Sequence, residues 1–167
     1  MKIGVIADTH DFDEFIDLAI ERFKKLNINV LVHCGDITRP ETLKKFAGFE
    51  KFYVVKGNMD KDVEGLKEAA KEIGAKFYDD YADITLDGKH IAILHSDDQM
   101  KFGSLIESLS YDYILYGHTH QQISDIVNNA NLVNPGAHTT NTIAIIDLET
   151  DIVVHVSLKK DDNTEEE

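Results

Sequence analysis

Cysteine occurs once, at Cys34, so the chain can close no internal disulfide, which fits a reducing compartment. Proline occurs only at positions 40 and 135, and no linker, internal repeat or low-complexity stretch divides the 167 residues. This patterning predicts one domain over 1–158 and an acidic flexible tail over 159–167, where five acids meet two lysines. No apolar run reaches the ~20 residues of a membrane-spanning helix, so no membrane partner is expected. The opening Met1-Lys2-Ile3-Gly4-Val5-Ile6-Ala7-Asp8 lacks a signal-peptide core, and a cytoplasmic location is predicted. Basic residues are scarce. Lys and Arg number 17 against 31 Asp and Glu, a net charge of −14 that repels polyanions and argues against long nucleic acid as a partner. The same field favours cations, although a solvated acidic surface is its commoner meaning. Neither a Gly-x-Ser-x-Gly elbow nor a Gly-x-x-x-x-Gly-Lys phosphate loop is present. Cys34 reads as a packing residue on a buried strand.

What is present begins with alternating strands and helices. Ile3–Ala7, Val30–His33 and Phe52–Val55 read as buried strands. Between them, Phe12, Phe15, Ile16, Ala19, Ile20, Phe23 and Leu26 recur at helical spacing. Thr38-Arg39-Pro40-Glu41 resembles a capping box opening a helix through Phe46, and Val63, Leu66, Ala70 and Ile73 mark another helix. The pattern then shifts. Asp83–Leu86 and His90–Leu94 flank Asp87-Gly88, a type I′ hairpin signal. A helix around Leu105–Leu109 precedes the strand Tyr113–Tyr116, and strands follow at 123–127, 132–133, 143–148 and 152–156. Early βαβα units followed by mostly antiparallel strands predict an α/β protein with two packed β-sheets, a β-sandwich, flanked by helices.

Polar residues with metal-ligand chemistry collect where these strands end. Asp8 and His10 follow the first strand, Asp36 the second and Asn58 the third. His95 follows Ile91–Leu94, and His118 and His120 follow Tyr113–Tyr116. Ligand crevices of α/β sheets lie at the carboxyl ends of strands, so these residues are predicted to converge. Taken singly, Asp8-Thr9-His10, Gly35-Asp36 and Gly57-Asn58 are ordinary caps and turns, and a lone histidine is more often a satisfied core residue. Their order and their shared place after strands set them apart. Carboxylate, amide and imidazole donors together suit Mn²⁺, Fe²⁺, Ni²⁺, Co²⁺ or Zn²⁺ rather than Mg²⁺ or Ca²⁺. Seven donors exceed one tetrahedral site and fit two divalent ions. The glycines at 35, 57 and 117 are expected to supply backbone freedom at the turns. His33 and His138 are expected near the site, and His90 and His155 on a hairpin surface.

The blocks Asp8-x-His10, Gly35-Asp36, Gly57-Asn58, His95 and Gly117-His118-x-His120 resemble, in order, the pattern of calcineurin-like metallophosphoesterases. Asn134-Pro135-Gly136 is similar to a further motif of the small prokaryotic phosphodiesterase branch. The resemblance implies the four-layer architecture of that family. It also implies ligand roles: Asp8, His10, Asp36 and His120 at one metal, and Asp36, Asn58, His95 and His118 at the other, with Asp36 bridging. The implied reaction is hydrolysis of a small phosphodiester by a hydroxide bridging two metals, Mn²⁺ or Ni²⁺ being favoured. A phosphomonoesterase is one alternative, and a non-catalytic scaffold resembling the retromer subunit is another. Two departures matter. Met59 stands where many members carry a proton-donating histidine, beside Asp60. The block at His95 continues Ser96-Asp97-Asp98 rather than with glycine. Asp97 is a candidate catalytic or ligand-supporting residue, or else a turn or helix-capping aspartate. Asn58 is assigned a catalytic as well as a ligand role, and Met59, Asp60 and Thr119 are assigned to substrate contact or ligand support.

Overall fold

Residues 1–158 are described by the computed structural model, and the tail expected over 159–167 lies outside the described residues. In chain order the elements are β1 (Lys2–Ile6), α1 (Asp13–Lys25), β2 (Val30–His33), α2 (Pro40–Lys44), β3 (Lys51–Val55), α3 (Val63–Ile73), β4 (Lys76–Tyr78), β5 (Tyr81–Leu86), β6 (Lys89–Leu94), α4 (Gln99–Glu107), β7 (Tyr113–Leu115), β8 (Gln122–Val127), β9 (Ala130–Pro135), β10 (Thr142–Asp147) and β11 (Ile152–Ser157).

Two-residue alternation along the strands builds four layers. Ile3 and Val5 of β1, Val30 and Val32 of β2 and Tyr53 and Val55 of β3 meet Ile91, Ile93, Tyr113, Leu115 and Val133 of the other sheet in one core. The intervening Ile6, Leu31, Phe52 and Val54 face the opposite way and pack on Phe15, Ile16 and Phe23 of α1, Leu43 of α2 and Leu66 of α3. On the far side, Ala92, Leu94, Ile114 and Leu132 pack on Phe102, Leu105 and Ile106 of α4. The fold is thus the helix-flanked β-sandwich that the sequence predicts.

One sheet has the order β11-β10-β1-β2-β3-β4 and the other β5-β6-β7-β9-β8. In the first, β1, β2, β3 and β4 run parallel. The later half is mostly antiparallel, as expected, but β6–β7 and β7–β9 are parallel and give the second sheet a parallel centre. Both sheets therefore bring carboxyl ends of central strands to the site.

Several local expectations are corrected. Phe12 and Leu26 flank α1 rather than lying on its buried face, and are 58% and 45% exposed. Thr38 makes no capping box. Arg39 occupies the cap position of α2 with no side-chain bond, while Thr38 sits at φ 75° with its N–H donated to Asp60. The helix α4 begins at Gln99, well before the expected Leu105, because Asp98 caps it through Lys101 N–H. The three-residue β4 was not expected at all. The Asp87-Gly88 turn is as predicted, with φ 51° and 78°.

Candidate metal centre

The loops after β1, β2, β3, β6 and β7 meet at one end of the sandwich. Two groups of donor atoms form there, the atoms of each lying within 4.8 Å of one another: Asp8, His10 and His120, and Asp8, Asp36 and His95. Asp36 Oδ2 lies 3.5 Å from His10 Nε2 and 3.2 Å from His95 Nε2, between the two imidazole sets. Asp8 Oδ1 lies 3.5 Å from His120 Nε2 and 3.9 Å from both His10 and His95. Asn58 Oδ1 is 2.9 Å from His95 Nε2. The His118 ring packs edge-on to His95 at 5.0 Å between centroids, and its backbone N–H donates to Asp8 Oδ2. All seven predicted ligands are thus neighbours.

The loops reach this arrangement through unusual backbone. Asp8, His10, Asp36, His118 and His120 all have positive φ, between 42° and 73°. Non-glycine residues in this region cost of order 1–3 kcal/mol each and cluster at functional sites. The expected role of the glycines needs correction at two positions. Gly57 and Gly117 supply space: a Cβ at Gly57 would lie 2.2 Å from Asp36 Oδ1, and one at Gly117 2.9 Å from Asp8 Oδ2. Gly35 alone of the three has positive φ, 96°.

A frame of buried hydrogen bonds holds the loops. Asp60, 1% exposed, accepts from the N–H groups of Asp36 (2.9 Å), Gly57 (2.7 Å) and Thr38 (2.7 Å). Burial holds its carboxyl above the ordinary value, against the pull of these donors. His33 accepts from Gly35 N–H at Nδ1 and so donates from Nε2 to Thr9 Oγ1, tying β2 to the β1 loop. Burial drives its pKa down to about 3, which keeps it neutral. Asn134, from the Asn-Pro-Gly motif, donates to Gly117 O and Thr119 Oγ1 and accepts from Gly136 N–H, and so shapes the Gly117–His120 turn. His155, expected on the surface, is half-buried and donates to Asn134 O. Asn134 and His155 escaped the sequence reading as site residues; the Asn-Pro-Gly motif signalled the first, and no sequence feature signalled the second.

The donor set fits a cation. Asp8 Oδ1 and His10 Nε2 are buried without a hydrogen-bond partner, which is costly unless something else is bound. Burial pushes the Asp8 carboxyl up to about 7, outweighing the pull of the His95 charge and of the His118 N–H. His95 donates from Nδ1 to Cys34 O (2.8 Å), leaving Nε2 towards the carboxylates. Burial works to lower the His95 pKa, but bonding to Asp36 raises it to about 8. The same pairing holds Asp36 below its ordinary value despite burial. His120 is lowered by burial and by His10, so it is neutral and able to ligate. Thr139 Oγ1 meets its other ring nitrogen at 3.2 Å.

The remaining candidates lie at the rim. Met59 is 46% exposed, and its N–H donates to Asp36 Oδ1. Thr119 is exposed beside Asn134. Asp97 is exposed and belongs to neither donor group among the described residues, and the helix cap falls to Asp98 instead. Cys34 is fully buried and serves through its carbonyl.

Residues 1–151 match the profile of the calcineurin-like phosphoesterase superfamily domain. Phosphodiesterase MJ0936 of Methanocaldococcus jannaschii is 34% identical over 156 residues, 89% of this chain and 94% of that one. The solved structure of an archaeal phosphodiesterase is similar at TM-score 0.87 and 32% identity, covering 93% of this chain and 99% of that one. Zinc-bound Vps29 of Entamoeba histolytica shares the fold at TM-score 0.65 and 18% identity, covering 95% of this chain and 99% of that one. Profile and relative alike span most of the polypeptide, and the chain accordingly belongs to the calcineurin-like phosphoesterase superfamily, whose hydrolases depend on divalent metal.

Proposed function

We propose that the protein is a phosphodiesterase acting on small phosphodiesters with two divalent metals. The carrying observation is Asp36 Oδ2, placed 3.5 Å from His10 Nε2 and 3.2 Å from His95 Nε2, where one carboxylate serves both sets. The proposed sets are Asp8, His10, Asp36 and His120, and Asp36, Asn58, His95 and His118. When bound, such a pair would supply water activation, lowering the pKa of a bound water towards ~7, and would neutralise phosphate charge. The chain's own contribution is positional. Asp60, His33 and Asn134 hold four loops in register, those after β1, β2, β3 and β7, so the ligands need little reorganisation. Asn58, exposed beside His95, is placed to orient a phosphate oxygen. Met59 offers no proton, which favours esters whose leaving group is stable as an anion. The mixed nitrogen and oxygen donors favour Mn²⁺ or Ni²⁺ over Mg²⁺. A cytoplasmic location belongs to the same reading and rests on the single, buried cysteine. Long duplex DNA is not a substrate in this reading, given 17 basic against 31 acidic residues. The seven gathered donors favour this reading over a scaffold, which has little reason to keep them all.

Chelator-stripped protein tests the reading. It is expected to be inactive on bis(4-nitrophenyl) phosphate and to recover with Mn²⁺ or Ni²⁺ more than with Mg²⁺. Preference for the diester over 4-nitrophenyl phosphate is expected. Full activity in metal-free protein would overturn the mechanism.

A further inference from the structure

Phe12 is 58% exposed, although it precedes an amphipathic helix whose other aromatics, Phe15 and Phe23, are buried. It occupies the cap position of α1 and makes no side-chain capping bond, forgoing what Ser, Thr, Asp or Asn would supply there. Neither packing nor helix formation explains it. Its ring lies flat on His138, with centroids 4.2 Å apart and planes 20° apart. His138 in turn touches two proposed metal ligands, at 5.3 Å from His10 and 5.9 Å from His120. Its backbone N–H donates to Asp8 O at 3.3 Å, so the pair is anchored to the end of β1.

The corner is also polar in an unfinished way. Among the described residues, three buried side-chain atoms lack a hydrogen-bond partner: Asp8 Oδ1, His10 Nε2 and His138 Nδ1. The first two belong to the donor groups, and the third belongs to the ring beneath Phe12. Tyr81 is the other exposed large aromatic among the described residues, and its ring is occupied by the Lys101 ammonium, 5.0 Å from its centroid. Phe12 differs: one face rests on His138, and its exposure leaves the rest of the ring to solvent.

We propose that Phe12, backed by His138, is a stacking shelf for a planar substituent of the substrate ester, so that aryl or nucleobase phosphodiesters are preferred over alkyl ones. This rests on the phosphodiesterase reading above. Through His138, whose ring lies 5.3 Å from that of His10 and 5.9 Å from that of His120, the shelf adjoins the histidines that a bound phosphate would face. An aromatic face is sequence-tolerant, because every base or aryl group presents a π-surface. His138 fixes the shelf's orientation and removes the entropy cost that a lone exposed phenyl ring would meet on binding.

The test compares two non-hydrolysable phosphonates, phenylphosphonate and methylphosphonate, by titration calorimetry on metal-replete protein. Parent protein is expected to bind phenylphosphonate roughly tenfold more tightly, the scale of one stacking contact. Phe12→Ala is expected to lose that discrimination and Phe12→Tyr to keep it, while the KM of bis(4-nitrophenyl) phosphate rises in Phe12→Ala with little change in kcat. Discrimination that is absent in the parent, or unchanged in Phe12→Ala, overturns the shelf while diester hydrolysis by the parent leaves the phosphodiesterase reading standing. A metal-replete parent that hydrolyses no diester overturns that reading and the shelf with it. Circular dichroism of the variants confirms the fold, and a Phe12→Tyr variant that discriminates no better than Phe12→Ala also counts against stacking.

Discussion

Asp60 is the frame residue whose removal has the most calculable consequence. Its carboxylate is 1% exposed and accepts three backbone N–H bonds, two at Oδ2 from Asp36 and Gly57 and one at Oδ1 from Thr38. Asp60→Asn replaces one oxygen with an NH₂ group. At least one of the three donors then faces a donor. Hydrogen bonds to a charged acceptor are worth ~1.5–3 kcal/mol, and a buried group left unpaired costs ~1–3 kcal/mol. The substitution should therefore destabilise the metal-free protein by ~2–3 kcal/mol, and Asp60→Ala, which orphans all three donors, by more. In a chain of this size 1 kcal/mol moves the melting temperature by roughly 2–4 °C, so Asp60→Asn should melt roughly 5–10 °C lower. Because Asp60 bonds the backbone of Asp36, metal affinity should also fall, by ~10–100-fold, as for other supports of metal ligands. The assays are thermal or urea unfolding of chelator-treated protein and metal content by elemental analysis. The control is Asp62→Asn, at the exposed cap of α3, where asparagine caps as well as aspartate and the change should be a few tenths of a kcal/mol. An Asp60→Asn protein melting within ~2 °C of its parent would refute the frame argument.

Asp36→Asn should lose more bound metal and more activity than Asn58→Ala, because Asp36 stands between both imidazole sets whereas Asn58 pairs with the His95 side of the site; two metals retained equally by both variants would contradict this. Met59→His should raise kcat/KM for alkyl phosphomonoesters relative to nitrophenyl diesters, since general acid catalysis is typically worth ~10²–10⁴-fold. An unchanged ratio in folded, metal-replete protein would mean that another group supplies the proton. The metal-free protein should lose stability as pH rises from 6.5 to about 8, because the His95 pKa is raised from 6.5 to about 8, so its proton-linked stability is full below 6.5 and is shed through 8. Asp8, raised from 3.8 to about 7, adds an earlier fall that runs from pH 3.8 to about 7. The loss should be ~2 kcal/mol by urea unfolding, and a flat or rising profile would contradict it.

Much of the site was legible because its ligands follow strands. Strand periodicity shows where a strand ends, and in parallel α/β units those ends share one side, so the order of residues alone gathers Asp8, His10, Asp36, Asn58, His95, His118 and His120. The Asp87-Gly88 hairpin was legible for a local reason, since both residues adopt positive φ. Where local chemistry competed with the site, the local reading failed. Thr38 looks like a helix cap, but its N–H is taken by Asp60, and its positive φ belongs to the loop that Asp60 holds.

Residue type and order along the chain determined the layer architecture and the inventory of donor side chains at the strand ends. These depend on side-chain period and donor atoms, which are properties of the polypeptide itself. Tertiary structure alone decided the supports and the rim. The His118 N–H reaches Asp8 across 110 positions, Asn134 and His155 brace a turn they do not adjoin, and Phe12 leaves its helix to lie on His138. No periodicity encodes such pairings. They arise when loops from two sheets are pressed together, and each buried polar group takes the partner that packing leaves within reach.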